Sequence, residues 1–98
     1  MPDTHDEARA AKKIPVIREY LAEEFPGCEI PEHDRGDDKI DYVFRICPPK
    51  ERAYALQVAE QVLIDLHPST DQLLDRLRRE KVAEQLRQSP ARSFTWGY

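Results

Sequence analysis

Acidic side chains crowd the segment 32–38, and Asp41 follows shortly after it. Carboxylate oxygens are the ligands that hard cations such as Ca²⁺ prefer, so the segment is a candidate metal loop. Its spacing, however, does not follow the alternating ligands of a calcium loop, and the glutamate at the twelfth position of such a loop is missing. We therefore expect an exposed polar turn, with no metal and no other cofactor.

Nucleophilic catalysis needs a serine, cysteine or threonine beside a general base, and we find no such pair in the sequence. His5 lies near the N-terminus, His33 at a predicted turn and His67 at a predicted helix end. The serines fall at helix ends or in the C-terminal tail, and the three scattered glycines form no phosphate-binding loop. These positions indicate a protein that is not an enzyme.

A basic stretch covers residues 76–92, with six basic and two acidic side chains and a net charge of +4. Aromatic residues alternate with others shortly after it. Cations followed by aromatic rings could bind phosphates and stack bases, which makes nucleic acid a candidate partner. The whole chain carries −4, however, and Glu80 and Glu84 interrupt the stretch, so nucleic acid is the less favoured partner.

The leading hypothesis is a small interaction or regulatory module that contacts a protein partner or a second copy of itself. Aromatic residues are enriched in the cores of interfaces, and an alternating terminal strand can extend a sheet edge, in its own chain or in another. The competing interpretation is that the tail covers the core of its own domain. The candidate contact residues are Arg76, Arg78, Arg79, Lys81, Phe94, Trp96 and Tyr98.

The elements that position these residues begin with an N-terminal helix. Thr4 and Glu7 match a capping box at its start, and apolar residues later recur every three or four positions up to Phe25. Pro15 lacks an amide hydrogen and clashes with a preceding carbonyl. We expect either a kink there or a frayed arm over 1–13 before a helix that begins at the proline.

Two strand-like segments, 28–33 and 39–47, flank a turn rich in Asp and predict a β-hairpin. Alternation puts Phe44 on the core face, with Cys28 on the same face and Cys47 on the opposite one. Cysteines on opposite faces of a sheet cannot form a disulfide without movement of the backbone. We therefore expect two free thiols, with that of Cys28 buried.

The segment 52–58 is ambiguous between strand and helix. Tyr54, Leu56 and Val58 alternate with other residues as in a strand, whereas much of the segment also favours helix and Pro49 would suit a helix start. Because a two-stranded hairpin is only marginally stable, a third strand is favoured.

The C-terminal half has the pattern of helices. Ser69 and Gln72 match a capping box at the start of one helix, and Pro90 ends the helical region. Apolar residues at 73, 74 and 77 would lie on the opposite side of a straight helix from those at 82, 83 and 86. We therefore expect a break near residues 79–81.

A resemblance to known proteins rests on three segments of the chain, 17–30, 39–46 and 54–66. They contain a helix that ends in Phe-Pro-Gly, a hairpin strand with the core Phe44-Arg45-Ile46, and an alternating strand that runs into a helix. In these features the chain resembles small uncharacterised bacterial proteins of similar length. The resemblance implies a helix, a small antiparallel sheet and C-terminal helices, and it implies no activity.

The length of 98 residues suits one domain, and we expect an α+β fold. This fold has an N-terminal helix, a small antiparallel sheet of two or three strands, two or three C-terminal helices, and a short aromatic strand or tail over 90–98. The N-terminus is acidic where a secretion signal would be basic, and no apolar run is long enough for a membrane helix. We therefore expect a cytoplasmic protein that does not bind membranes.

Overall fold

The structure, a computed structural model, describes residues 4–35, 41–65 and 69–97. Within these ranges a long helix comes first, a four-stranded sheet follows, and three shorter helices lead to its last strand. The elements in chain order are α1 (Thr4–Glu24), β1 (Asp34–Arg35), β2 (Tyr42–Ile46), β3 (Tyr54–Val58), α2 (Glu60–Ile64), α3 (Thr70–Arg79), α4 (Val82–Gln88) and β4 (Ser93–Trp96).

Helix α1 continues through Pro15 without a break. Buried residues lie on both sides of the proline, with Ala10 at 3% exposure and Ile17 fully buried, while Pro15 itself is exposed. Contacts with α2 and α3 hold the helix along its length. The structure therefore excludes a helix that begins at Pro15, because packing on both sides offsets the hydrogen bond that proline removes.

The sheet has the order β1-β2-β3-β4. The pairs β1–β2 and β2–β3 are antiparallel, with Phe44 opposite Leu56, which confirms the third strand. Strand β4 runs parallel to β3, with Phe94 opposite Leu56, so the aromatic strand turns the predicted antiparallel sheet into a mixed one. The helices α2, α3 and α4 form the long crossover that a parallel neighbour requires.

The first arm of the hairpin differs from the prediction. Strand β1 occupies residues assigned to the turn, and of the segment 28–33 Glu29 alone forms a β-bridge, with Cys47. Pro31 lies between the bridge and β1, and a proline cannot donate a ladder hydrogen bond. A continuous strand is therefore interrupted there. Residues 36–38 of the predicted turn lie outside the described part.

Both cysteines are free thiols, as predicted. Because Glu29 and Cys47 are directly paired, their side chains share the outer face of the sheet, and Cys28 points to the other face. Cys28 packs against the hydrophobic core but is half-buried, so the prediction of a fully buried thiol is wrong.

The core lies between one face of the sheet and the helices. The core position predicted for Phe44 is confirmed, and Ile17, Leu21, Tyr42 and Leu63 are buried with it. The other face of the sheet carries exposed side chains such as Arg45 and Thr95. The chain therefore forms two layers with one open sheet face.

The break between α3 and α4 is confirmed. Lys81 adopts a left-handed conformation with φ of 53°, which ends the first helix and turns the chain before Val82. Leu77 and Val82 are then both fully buried, as one straight helix would not allow. The capping box of Ser69 and Gln72 at the start of α3 has both of its hydrogen bonds.

Candidate protein-interaction surface

Trp96, the most prominent of the candidate contact residues, lies in the core of its own domain. Its side chain is 4% exposed and sits on the same sheet face as its neighbour Val58. The indole Nε1 donates a hydrogen bond of 3.0 Å to Oε1 of Glu80, at the C-terminal cap of α3. The ring is therefore not available to a partner, and it connects β4 to the turn between α3 and α4.

Arg76 completes a cluster with this pair. Its Nε donates to Oε2 of Glu80 at 3.0 Å, and its guanidinium carbon lies 5.5 Å from the centre of the Trp96 ring. The indole hydrogen bond, followed by the contacts with Arg76, holds the pKa of the Glu80 carboxyl below its usual value. Arg76 and Trp96, two of the predicted partner-contact residues, thus contact each other through Glu80 within the chain.

The other predicted basic residues lie at the end of α3 and in the turn after it. Arg78 contacts Glu23 of α1 at 3.3 Å, and Arg79 pairs with Asp75 one turn earlier. Lys81 is exposed and has no ion pair with any residue that the structure describes. An ion pair between exposed side chains contributes about 0–1 kcal/mol to stability. These arginines therefore stay accessible to solvent, but the paired carboxylates reduce the local positive charge.

Two further arginines of the basic stretch lie over aromatic rings. The guanidinium carbon of Arg87 is 4.6 Å from the ring centre of Phe25, and that of Arg92 is 4.7 Å from that of Tyr54. The two rings lie 5.2 Å apart, and each arginine also pairs with a glutamate. The basic stretch therefore makes many of its contacts within the chain.

Strand β4 forms one edge of the sheet, and half of its backbone groups face outward. The carbonyls of Arg92 and Trp96 accept hydrogen bonds of 2.9 Å from β3 and the residue after it. Because backbone groups alternate in direction along a strand, those of Ser93 and Thr95 point away from β3. The N–H of Gly97 does so too, because the Trp96 carbonyl of the same peptide faces β3. Within the described part of the chain these outward groups have no backbone partner.

The two ends of this edge are well defined. Gly97 has φ of 99°, and a Cβ placed on it would lie 2.4 Å from Cγ2 of Val62, so the chain needs glycine there. Phe94 packs against the core and stays partly exposed. The remaining candidate, Tyr98, lies outside the described residues. The edge is thus a short, firmly held strand.

Several buried polar groups were missed by sequence reasoning. Lys13 is 3% exposed, and its Nζ donates to the carbonyls of Val62 and Asp65 at 2.7 and 2.6 Å, which caps the end of α2. Burial lowers the pKa of this lysine. Asp41, expected near the exposed acidic turn, is 2% exposed and accepts a hydrogen bond of 2.9 Å from Gln57. No local pattern marks these positions, because their partners come from distant segments.

Tyr20 is a third buried polar group that the sequence did not predict. Its hydroxyl oxygen accepts a hydrogen bond of 3.0 Å from the amide of Ala83, in the first turn of α4. Burial raises the pKa of the phenol. A tyrosine of α1 therefore takes the place of a side-chain cap, which Lys81 cannot provide for α4.

Among the described residues, no group of three or more His, Cys, Asp or Glu side chains is placed to hold a metal ion. The ring of His33 lies 5.4 Å from that of Tyr42, in an aromatic contact. His67 falls outside the described part. No helix within the described ranges has the length and apolar character needed to cross a membrane.

Comparisons of the chain with protein-family models, with curated proteins and with solved structures found no match. The resemblance to small bacterial proteins therefore stays a prediction.

Proposed function

We propose that the protein is a small interaction module that contacts other chains through the free edge of β4. The observation that carries the proposal is the row of outward backbone groups at Ser93, Thr95 and Gly97. An unpaired edge is a template for another extended segment, whose backbone supplies the missing partners. The mode of contact is thus backbone pairing, with the side chains beside the edge selecting the partner.

The rigidity of β4 supports this role. Trp96 is buried and bonded to Glu80, and Gly97 lies against α2 too closely for any other residue. A binding edge that is held in position loses little conformational entropy when a partner arrives. The aromatic residues of the tail therefore serve the edge indirectly, because they fix the strand.

Nucleic acid is the less supported partner. Arg76, Arg78 and Arg79 each pair with a carboxylate, and of these four candidate cations Lys81 alone has no ion pair with a described residue. A phosphate-binding surface gains affinity from cations that release counterions, and nearby carboxylates oppose this effect. No aromatic ring stands free beside these cations in the described part, since the ring of Trp96 is buried.

The test compares three versions of the full chain as bait for proteins of its source cell, after nuclease treatment. Thr95→Pro removes an outward N–H and places a ring on the edge, whereas the hydrogen bonds to β3 stay intact. Thr95→Val keeps the N–H and is the matched control. Captured proteins are identified by mass spectrometry, purified and tested again for direct binding.

The proposal expects partners that bind the original chain and Thr95→Val but not Thr95→Pro. Binding that Thr95→Pro leaves unchanged would contradict it. A parallel titration with random-sequence RNA and duplex DNA at about 150 mM salt tests nucleic acid as the partner. Tight binding that is lost in the double variant Arg78→Gln, Lys81→Gln would favour nucleic acid instead.

A further inference from the structure

The edge of β4 is suited to one particular occupant, and this inference rests on the proposed function. We propose that two copies of the chain pair through β4 in antiparallel orientation, about a two-fold axis at Thr95, so that their sheets join into one. The argument depends on the register of the outward groups, on the residues that flank them and on the contrast with the other edge.

The outward groups are spaced for self-pairing. In an antiparallel ladder, two opposed residues exchange both of their N–H···O bonds, and such pairs occur at every second position. With Thr95 opposite Thr95 of the other copy, Ser93 falls opposite Gly97 in both directions. The two Thr95 residues then exchange both of their hydrogen bonds, and the N–H of each Gly97 reaches the carbonyl of Ser93 in the other copy, in about four hydrogen bonds. A shift by one residue would oppose an outward group to an inward one.

The side chains fit the same register. Phe94 of each copy is partly exposed and comes to lie where the two sheets join, on the face that the helices cover, so the other copy covers its exposed part. On the open face, Thr95 meets Thr95. Threonine pairs across strands are favourable contacts.

The two edges of the sheet differ in their protection. Strand β1 is two residues long and consists of Asp34 and Arg35, and short charged strands resist pairing with other chains. The segment 93–97 contains no charged residue and no proline. A five-residue edge is short for an interface between chains, so the expected dimer is weak and reversible.

The test places charges on the two-fold axis. In Thr95→Lys each lysine faces a second lysine, and in Thr95→Glu each glutamate faces a second glutamate, so both variants should be monomers. An equimolar mixture of the two should form a heterodimer, because the opposed charges are then complementary. Thr95 is exposed, so both variants should fold. Circular dichroism and the fluorescence of Trp96 check the fold of each variant.

The measurement is sedimentation equilibrium of the full chain over a hundredfold range of concentration. The highest concentration is about 1 mM, so that a dimer with a Kd as weak as this is still detected. Gln88→Lys, an exposed residue at the end of α4, adds the same charge away from the edge and should dimerise as the original chain does. The amide of Thr95 should also exchange its hydrogen more slowly at high concentration.

A chain that stays monomeric up to the highest concentration would overturn the inference, as would a dimer that persists in both charged variants. Neither result touches the proposed function, which is decided by the response of other captured proteins to Thr95→Pro. Conversely, a dimer that the charge pair restores would establish the two-fold axis even if no other protein binds.

Discussion

The contact between Trp96 and Glu80 leads to a prediction for Glu80→Gln. The amide keeps an oxygen for the indole N–H but loses the negative charge. Hydrogen bonds to charged groups contribute about 1.5–3 kcal/mol and those between neutral groups about 0.5–1.5 kcal/mol, so the loss for the indole bond is about 1 kcal/mol. The Glu80 side chain is 40% exposed, and solvent screening reduces this loss to about 0.5 kcal/mol.

The pair with Arg76 adds about 0.3–0.5 kcal/mol, as expected for exposed partners one helical turn apart. We therefore expect Glu80→Gln to lower the free energy of unfolding by about 1 kcal/mol at pH 7. The pKa of Glu80 is lower in the folded chain than in the unfolded one. Its contribution is therefore complete above the unfolded pKa of about 4.3 and is lost as the pH falls through the folded pKa.

The assay is urea unfolding, followed by the fluorescence of Trp96, the single tryptophan of the chain. The original chain and Glu80→Gln should differ at pH 7 and converge near pH 2.5, because a protonated carboxyl resembles an amide. Glu19→Gln, an exposed carboxylate of α1, is the matched control and should change little at either pH. A difference that is equally large at both pH values would refute the electrostatic reasoning.

Three further predictions concern the core, a cap and the thiols. Phe44→Ala should lower the free energy of unfolding by about 3–5 kcal/mol in the same assay, and a loss below about 1 kcal/mol would contradict its central packing. Tyr20→Phe leaves the buried amide of Ala83 unpaired and should cost about 1–3 kcal/mol, whereas an unchanged midpoint would mean that water replaces the hydroxyl. Denatured chains should show two free thiols, and native chains should react with a thiol reagent at Cys47 before Cys28, so the reverse order would argue against the assignment of faces.

Features that depend on neighbours in the chain could be predicted from the sequence. The capping box at Ser69 satisfies amides within one turn, and the conflict between two apolar stripes required a break near Lys81. Alternation likewise placed Phe44 on the core face, whereas β3 was favoured over a helix only because a two-stranded hairpin needs a third strand. For the cap, the break and the strand of Phe44, the physical cause, a hydrogen bond or a periodicity, is complete within a few residues.

The candidate site was predicted only in part. The sequence left the tail as either a short aromatic strand or an irregular tail, and β4 shows that it is a strand. It left open whether the tail covers its own core, and the burial of Trp96 answers that question for this residue. The backbone edge at Thr95 was missed, because any residue type can present outward backbone groups and no side-chain pattern marks them.

By itself, the sequence determined the C-terminal helices with their break, the strand around Phe44 and the apolar face of each, since these properties follow from local hydrogen bonds and periodicity. The tertiary structure alone decided the parallel pairing of β4, the burial of Lys13 and the pairing of Arg78 with Glu23. The two last contacts join positions 49 and 55 residues apart. Such contacts arise only when the whole core packs, because the loss of chain entropy on bringing distant segments together is offset by the apolar surface that all the elements bury at once.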